Sequence, residues 1–261
     1  MIIDCFMFLR EFDLLEIRLR ELDAVADKFV IVESSRSFTG NPKPFYFDTQ
    51  FLRYANWLRK IIRVKVNDTP VSFDPHQREA FERNAIIRGL PDLKDSDVVM
   101  ISDVDEIPRA AVVKRYKIEQ GVVGLHQSMY RYYINCLTKE RWIGTKIVPG
   151  SVLKKHPPDF IRWHAEEIGC KFIEDAGWHF TSTGGAEEFK YKLESFAHAG
   201  CEWHESEIEE YRNGTIVERL VRDGNLKVVG IDGSYPEFVQ KNVGKVLDWG
   251  LLHEPKAVAA T

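Results

Sequence analysis

Two acidic residues at the end of an apolar run are the side chains best suited to chemistry in this chain. Asp103 and Asp105 follow residues 98–101, four apolar residues that are too few for a helix and rich in β-branching. Such a run predicts a strand buried on both faces, and residues two apart in extended chain project to the same side. Carboxylates held this close favour a divalent cation, and Mg²⁺ is commonly shared between carboxylates and substrate phosphates. The pair therefore predicts a metal site that binds a diphosphate.

A second polar constellation lies in residues 177–188, which predict a strand, a glycine turn and the acidic first turn of a helix. His179 on this strand is expected to complete the metal coordination, with His198 as the other candidate ligand. Glu187 is the first candidate for a general base and Asp175 the second. Glu187 has an alternative role, because a carboxylate in the first turn complements the helix dipole.

Further polar residues at the ends of predicted elements indicate contacts with a nucleotide. Glu33, Ser34 and Arg36 come at the end of the second predicted strand and are expected to meet the nucleoside. Arg83 lies on the helix before the acidic strand and is expected to donate to the diphosphate, beside Asp103. These residues predict that a nucleotide binds across the carboxyl ends of neighbouring strands.

The elements that must position these residues alternate between strand and helix along the first hundred residues. Strands are predicted at residues 2–8, 29–32, 61–66 and 98–101, and helices at 12–22, 51–59 and 74–88. This alternation predicts an α/β chain with a parallel sheet flanked by helices. No Gly-x-Gly-x-x-Gly follows the first strand and no P-loop is present, which argues against dinucleotide binding and P-loop hydrolysis.

The second half is rich in aromatic residues. Tyr130, Tyr132 and Tyr133 lie in a predicted strand, and Trp142, Trp163 and Trp178 follow. Core packing and stacking on the apolar faces of a carbohydrate are both compatible with this pattern.

Composition limits the class of protein. The 261 residues are 44% hydrophobic, enough for one large domain. A net charge of −4 without a basic block argues against nucleic-acid binding. No run approaches the roughly 20 apolar residues of a membrane span, and no basic leader precedes the first strand. We therefore expect a cytoplasmic protein with no integral membrane segment.

Segments spread over residues 1–240 together resemble glycosyltransferase family 17. They are residues 13–19, 29–33, 38–40, 102–108, 177–185 and 192–198. The resemblance implies a Rossmann-like GT-A fold with a mostly parallel central sheet and a nucleotide-sugar donor, UDP-N-acetylglucosamine (UDP-GlcNAc). It also implies a glycan acceptor, Mn²⁺ or Mg²⁺ held by the Asp103–Asp105 pair, and inversion at the anomeric carbon.

The resemblance divides a single domain into two halves. Residues 1–120 are expected to form the half that binds the nucleotide-sugar, residues 121–250 the acceptor-side half, and residues 251–261 a flexible tail. Two other classes stay open, a haloacid-dehalogenase-like phosphohydrolase with Asp103 as nucleophile and a non-catalytic carbohydrate-binding protein. The transferase hypothesis requires that the two aspartates face an open cleft and are not buried in ion pairs away from it.

Overall fold

The structure is a computed structural model that describes residues 1–196 and 203–254. Its strands are β1 (Ile2–Met7), β2 (Lys28–Ser34), β3 (Ile61–Val66), β4 (Val98–Asp103), β5 (Glu106–Pro108), β6 (Val123–Arg131), β7 (Cys136–Pro149), β8 (Lys171–Ile173), β9 (Gly177–Thr181) and β10 (Leu226–Val228). Its α-helices are α1 (Phe12–Leu22), α2 (Tyr46–Gln50), α3 (Pro75–Asn84), α4 (Ala110–Arg115), α5 (Gly150–Leu153), α6 (Pro158–His164), α7 (Ala186–Ser195), α8 (Trp203–Arg212), α9 (Ile216–Arg222), α10 (Glu237–Lys241) and α11 (Val243–Asp248). Short 3₁₀ helices cover Phe51–Trp57, Ala85–Gly89, Ile118–Gln120 and Ala165–Ile168.

The strands form one mixed sheet in the order β3-β2-β1-β4-β7-β6-β9-β5, with β10 paired to β7 and β8 to β6. The strands β3, β2, β1 and β4 are parallel, as predicted. Beyond β4 the prediction of a mostly parallel sheet is wrong, because β7 runs antiparallel to both β4 and β6. Antiparallel strands such as β6 and β7 can be joined by a short loop without a crossover helix. Strand β7 can therefore pair with β4 while running in the opposite direction.

Local sequence patterns place several elements correctly. The apolar stripe of α1 gives the predicted helix, and β3 has the predicted limits. Asp74 caps α3 through a capping box with Gln77, and Pro75 occupies the first turn, where its missing N–H costs nothing. The strand predicted to contain Tyr130, Tyr132 and Tyr133 is only partly confirmed, because β6 includes Tyr130 but ends at Arg131.

The two aspartates do not lie in one extended segment, as the sequence pattern suggested. Strand β4 ends at Asp103, a turn covers Val104 and Asp105, and β5 begins at Glu106. This β4–turn–β5 segment, residues 102–106, is called the acidic turn here. The turn forms because β5 leaves β4 and pairs with β9 instead.

Helices cover both faces of the sheet. One core contains Leu15 and Leu19 of α1, and another, on the opposite face, contains Ile161 of α6. Leu251 and Leu252, placed in the predicted tail, are instead buried, whereas residues 255–261 lie outside the described part. None of the described helices combines the length and apolar character that a bilayer crossing demands.

Candidate active site

The main cavity opens at the carboxyl ends of β1, β2 and β4, the edge at which parallel sheets commonly bind ligands. Its volume is about 320 Å³, and both residues of the acidic pair, Asp103 and Asp105, line it. On the β2 side the wall contains Arg36 and Phe38, and on the opposite side it contains His179 of β9. The cavity is therefore bounded by both halves of the sheet.

A buried arginine holds the acidic turn in place through hydrogen bonds to its backbone. Arg18 of α1 donates to the backbone carbonyls of Asp103 at 2.9 Å and Glu106 at 2.8 Å, with a longer contact of 3.3 Å to Val104. Its guanidinium also forms a two-pronged ion pair with Asp4 of β1, and neither side chain is exposed. Because the N–H donors of a guanidinium are held in one rigid plane, contacts from this single group to the acidic turn and to Asp4 fix the turn and β1 relative to each other.

Asp103 accepts hydrogen bonds from two buried arginines. Arg83 Nη1 lies 2.7 Å from Oδ1, and Arg162 Nη2 lies 3.3 Å from Oδ2. Burial by itself raises the pKa of Asp103, but the charges of the two guanidinium groups outweigh it and hold the pKa below its usual value. Asp103 is therefore a carboxylate at neutral pH, with both oxygens engaged.

Asp105 is paired with a lysine from a distant helix. Lys192 Nζ of α7 lies 2.7 Å from Oδ2, and His179 Nε2 lies 3.7 Å from Oδ1. Burial opposes ionisation, but the charge of Lys192 lowers the pKa of Asp105 strongly. For Lys192, burial lowers the pKa, and the charge of Asp105 more than compensates and raises it. Both partners are therefore charged.

The site contains carboxylates, the ligand type that Mn²⁺ and Mg²⁺ prefer, but not a preformed cluster of ligands among the residues that the structure describes. Two carboxylates and an imidazole face one cavity, and the buried Nδ1 of His179 has no hydrogen-bond partner among the described residues. Of the described side chains on the wall, six are acidic and four are Arg or Lys: Glu11, Glu79, Glu82, Asp103, Asp105, Glu106, Arg36, Lys43, Arg162 and Lys192. In the described part, no three Asp, Glu, His or Cys side chains converge as metal ligands, because the aspartates contact basic groups instead.

The predicted nucleotide-binding residues divide into two groups. Asp103 and Arg36 line the main cavity, and Arg36 also donates to the carbonyl of Gly40. Glu33 and Ser34 lie behind the wall, where Glu33 accepts from the backbone of α2 and burial raises its pKa to about 7. Arg83 is also buried behind the cavity wall, and all three of its side-chain nitrogens donate to carboxylates.

The two predicted bases lie elsewhere on the surface. The side chain of Glu187 is 75% exposed and pairs with Arg212, and that of Asp175 is 77% exposed and pairs with Arg109. The structure does not bring either carboxylate to the cavity that contains Asp103 and Asp105. The alternative metal ligand His198 lies outside the described residues.

Residues that sequence reasoning missed complete the acidic turn. The buried carboxylate of Glu106 accepts from Arg162 and from the indole of Trp142, and it also accepts from the backbone N–H of Asp103. The Glu106 position was visible in the acidic motif, and Lys192 begins one of the segments that resemble the family. Nothing in the local pattern around Arg162 marks it.

Aromatic residues divide between the core and the cavity. Tyr130, Tyr132 and Trp178 are buried, which agrees with core packing. Trp142 and Trp163 line the main cavity, and Trp163 is 55% exposed at its rim. The indole of Trp142 packs on the ring of His179 with 5.1 Å between centroids. These two tryptophans can offer apolar faces to a ligand.

Comparison with known proteins gives a consistent result. The sequence matches the model of glycosyltransferase family 17 over residues 1–227. It is 29% identical over 137 residues to a human protein named β-1,4-mannosyl-glycoprotein 4-β-N-acetylglucosaminyltransferase, an alignment that covers 47% of this chain and 26% of that protein. The mouse protein of the same name is 27% identical over 263 residues, covering 87% of this chain and 48% of its own length. The chain thus spans about half or less of the length of these relatives.

Proposed function

Because this chain belongs to glycosyltransferase family 17, we propose that it transfers a sugar from a nucleotide-sugar donor to a glycan acceptor. The donor is UDP-GlcNAc, the sheet is a variant of the Rossmann-like GT-A arrangement, and the transfer inverts the anomeric carbon. The name shared by the human and mouse relatives supports N-acetylglucosamine as the sugar and a β-mannosyl residue as the acceptor.

The observation that carries this proposal is the acidic turn at the carboxyl end of β4, facing a cavity with basic side chains on its walls. Arg36, Lys43, Arg162 and Lys192 all line this cavity. A diphosphate gains negative charge as the glycosidic bond breaks, and cationic groups fixed nearby stabilise that charge most in the transition state. Arg36 and Phe38 at the end of β2 are on the side where the nucleoside would bind.

Asp103, Asp105 and His179 would hold Mn²⁺ or Mg²⁺, which when bound would act as a Lewis acid toward the diphosphate. The chain's own groups have a separate part in the reaction. Arg162 orients Asp103 and Glu106 together, so the acidic turn presents its carboxylates to the cavity in one fixed arrangement. Lys192 lines the same cavity with its ammonium 2.7 Å from Asp105, a position from which it would contact the phosphate oxygens of the donor.

The phosphohydrolase alternative is less well supported. The family match over residues 1–227 is to a glycosyltransferase model and supports sugar transfer over phosphate hydrolysis through an aspartyl nucleophile. A binding protein without catalysis leaves unexplained why several ion pairs are buried around the acidic turn, among them Arg83–Asp103, Arg162–Glu106 and Lys192–Asp105. Both observations favour transfer.

Titration calorimetry with UDP and turnover of UDP-GlcNAc test the proposal. Mn²⁺ is expected to tighten UDP binding, and Asp105→Asn is expected to reduce both UDP binding and turnover by at least about 100-fold. Asp248→Asn, a change on the exposed helix α11, serves as the control and is expected to leave both unchanged. Turnover that persists at full rate in a chelator would refute the metal, and failure to release UDP from UDP-GlcNAc would refute the donor.

A further inference from the structure

A second cavity of about 270 Å³ adjoins the main one, and no role has been assigned to it. Both cavities are lined by Leu9, Glu11, Asp105 and Lys192. The Asp105–Lys192 ion pair therefore forms part of a thin partition between them. A molecule in the second cavity would lie directly beside a donor whose diphosphate occupies the first.

The walls of the second cavity suit a sugar. Tyr191 and Trp249 contribute aromatic rings to the lining, with Arg10 stacked over Tyr191 and Arg53 over Trp249, and the hydroxyls of Ser182 and Thr183 provide polar contacts. The cavity is bounded by the start of α1, the turn after β9, helix α7 and the segment after α11, so it is formed by parts of the chain far apart in sequence. Aromatic rings combined with hydroxyl groups and carboxylates match the mixed polarity of a pyranose ring.

One carboxylate in this cavity differs from the others. Asp13 pairs with Arg53 at 2.6 Å, and Glu188 pairs with Arg10 at 2.5 Å. Glu11 has no ion pair among the described residues. Its Oε2 accepts from the backbone N–H groups of Leu9 at 3.1 Å and Arg10 at 3.0 Å, and its Oε1 has no hydrogen-bond partner in the described part of the chain. Glu11 is thus held in a fixed position with one oxygen available.

We infer that the second cavity binds the acceptor sugar and that Glu11 is the general base that activates its hydroxyl. This inference rests on the proposed transferase function. The acceptor O–H gives its proton to Glu11 Oε1 while the oxygen forms a bond to the anomeric carbon. The bond from that carbon to the phosphate oxygen breaks, and its electron pair leaves with the diphosphate. The products are the new glycoside, UDP and a protonated Glu11, which returns its proton to water.

Turnover and binding by full-length variants test this assignment. Glu11→Gln keeps the size of the side chain and its contacts with the backbone but cannot accept a proton. With UDP-GlcNAc and a β-mannosyl glycopeptide as probes, it is expected to lower kcat by about 10²–10⁴-fold. The Kd for UDP with Mn²⁺ should stay within about threefold of the wild-type value. Trp249→Ala should raise the KM for the glycopeptide without changing UDP binding.

Two controls separate the possible outcomes. Glu237→Gln, on the exposed helix α10, should behave as wild type, and Glu187→Gln tests the base predicted from the sequence. A Glu11→Gln kcat within threefold of wild type would overturn the assignment, as would loss of UDP binding. Loss of turnover only in Glu187→Gln would also overturn it. Wild-type protein that releases no UDP would refute the transferase proposal itself, and the role of Glu11 with it.

Discussion

Replacing Arg18 by lysine should destabilise the protein far more than a conservative change on a surface helix. Lysine keeps a charge beside Asp4 but cannot reproduce the guanidinium fork that also serves the carbonyls of Asp103, Val104 and Glu106. A buried carbonyl that loses its donor costs about 1–3 kcal/mol, and a weakened buried ion pair adds to that. We therefore expect the free energy of unfolding to fall by roughly 3–5 kcal/mol, a large part of a typical domain's 5–15 kcal/mol.

Urea unfolding at pH 7 measures this loss, with Arg20→Lys as the matched control. Arg20 lies on the same helix but is more exposed, and its change should cost less than about 1 kcal/mol. The double variant with Asp4→Asn should show a coupling energy above 1 kcal/mol, because the two groups contact each other. An Arg18→Lys loss no larger than that of Arg20→Lys would refute the view that Arg18 holds the acidic turn.

Three further predictions concern the metal, pH and close packing. Lys192→Met should tighten Mn²⁺ binding without nucleotide by at least about tenfold in calorimetry, because no ammonium then competes for Asp105, whereas exposed Lys190→Met should have no effect. Burial raises the pKa of Glu82 from 4.5 to about 8, so its contribution to stability should be greatest below pH 4.5 and decrease by about 1.4 kcal/mol per unit as pH rises toward 8. Unfolding of Glu82→Gln should lack this decrease relative to wild type. Gly177→Ala should lower the melting temperature, since its Cβ would lie 2.2 Å from a carbonyl oxygen of β5, a clash worth roughly 2–3 kcal/mol.

Features of the fold that depend on neighbouring residues could be predicted from the sequence. The stripe of α1, the capping box of α3 and the run of β3 each contain their own signal within a few residues. The direction of β7 could not be predicted, because hydrophobic periodicity is the same for parallel and antiparallel pairing. A mostly parallel sheet was therefore expected, and a mixed one is found.

The candidate site shows the same division. Asp103 and Asp105 stand out because an apolar strand precedes them, and both line the cavity. Their partners come from far along the chain, Arg162 at a separation of 59 residues and Lys192 at 87, so no local pattern links them. Glu187 fitted a motif in sequence but lies on the outer surface, since its helix turns that side toward Arg212.

The two indoles in the main cavity give this protein its own optical reporters. Trp142 lies against the ring of His179, and Trp163 is half open to water at the rim. Emission from an indole depends on nearby polar groups and on hydration, so a nucleotide that enters the cavity should change the intrinsic fluorescence. Occupancy of the cleft can thus be followed in unlabelled protein, and a single Trp→Phe change at either position would assign the signal to one side of the opening.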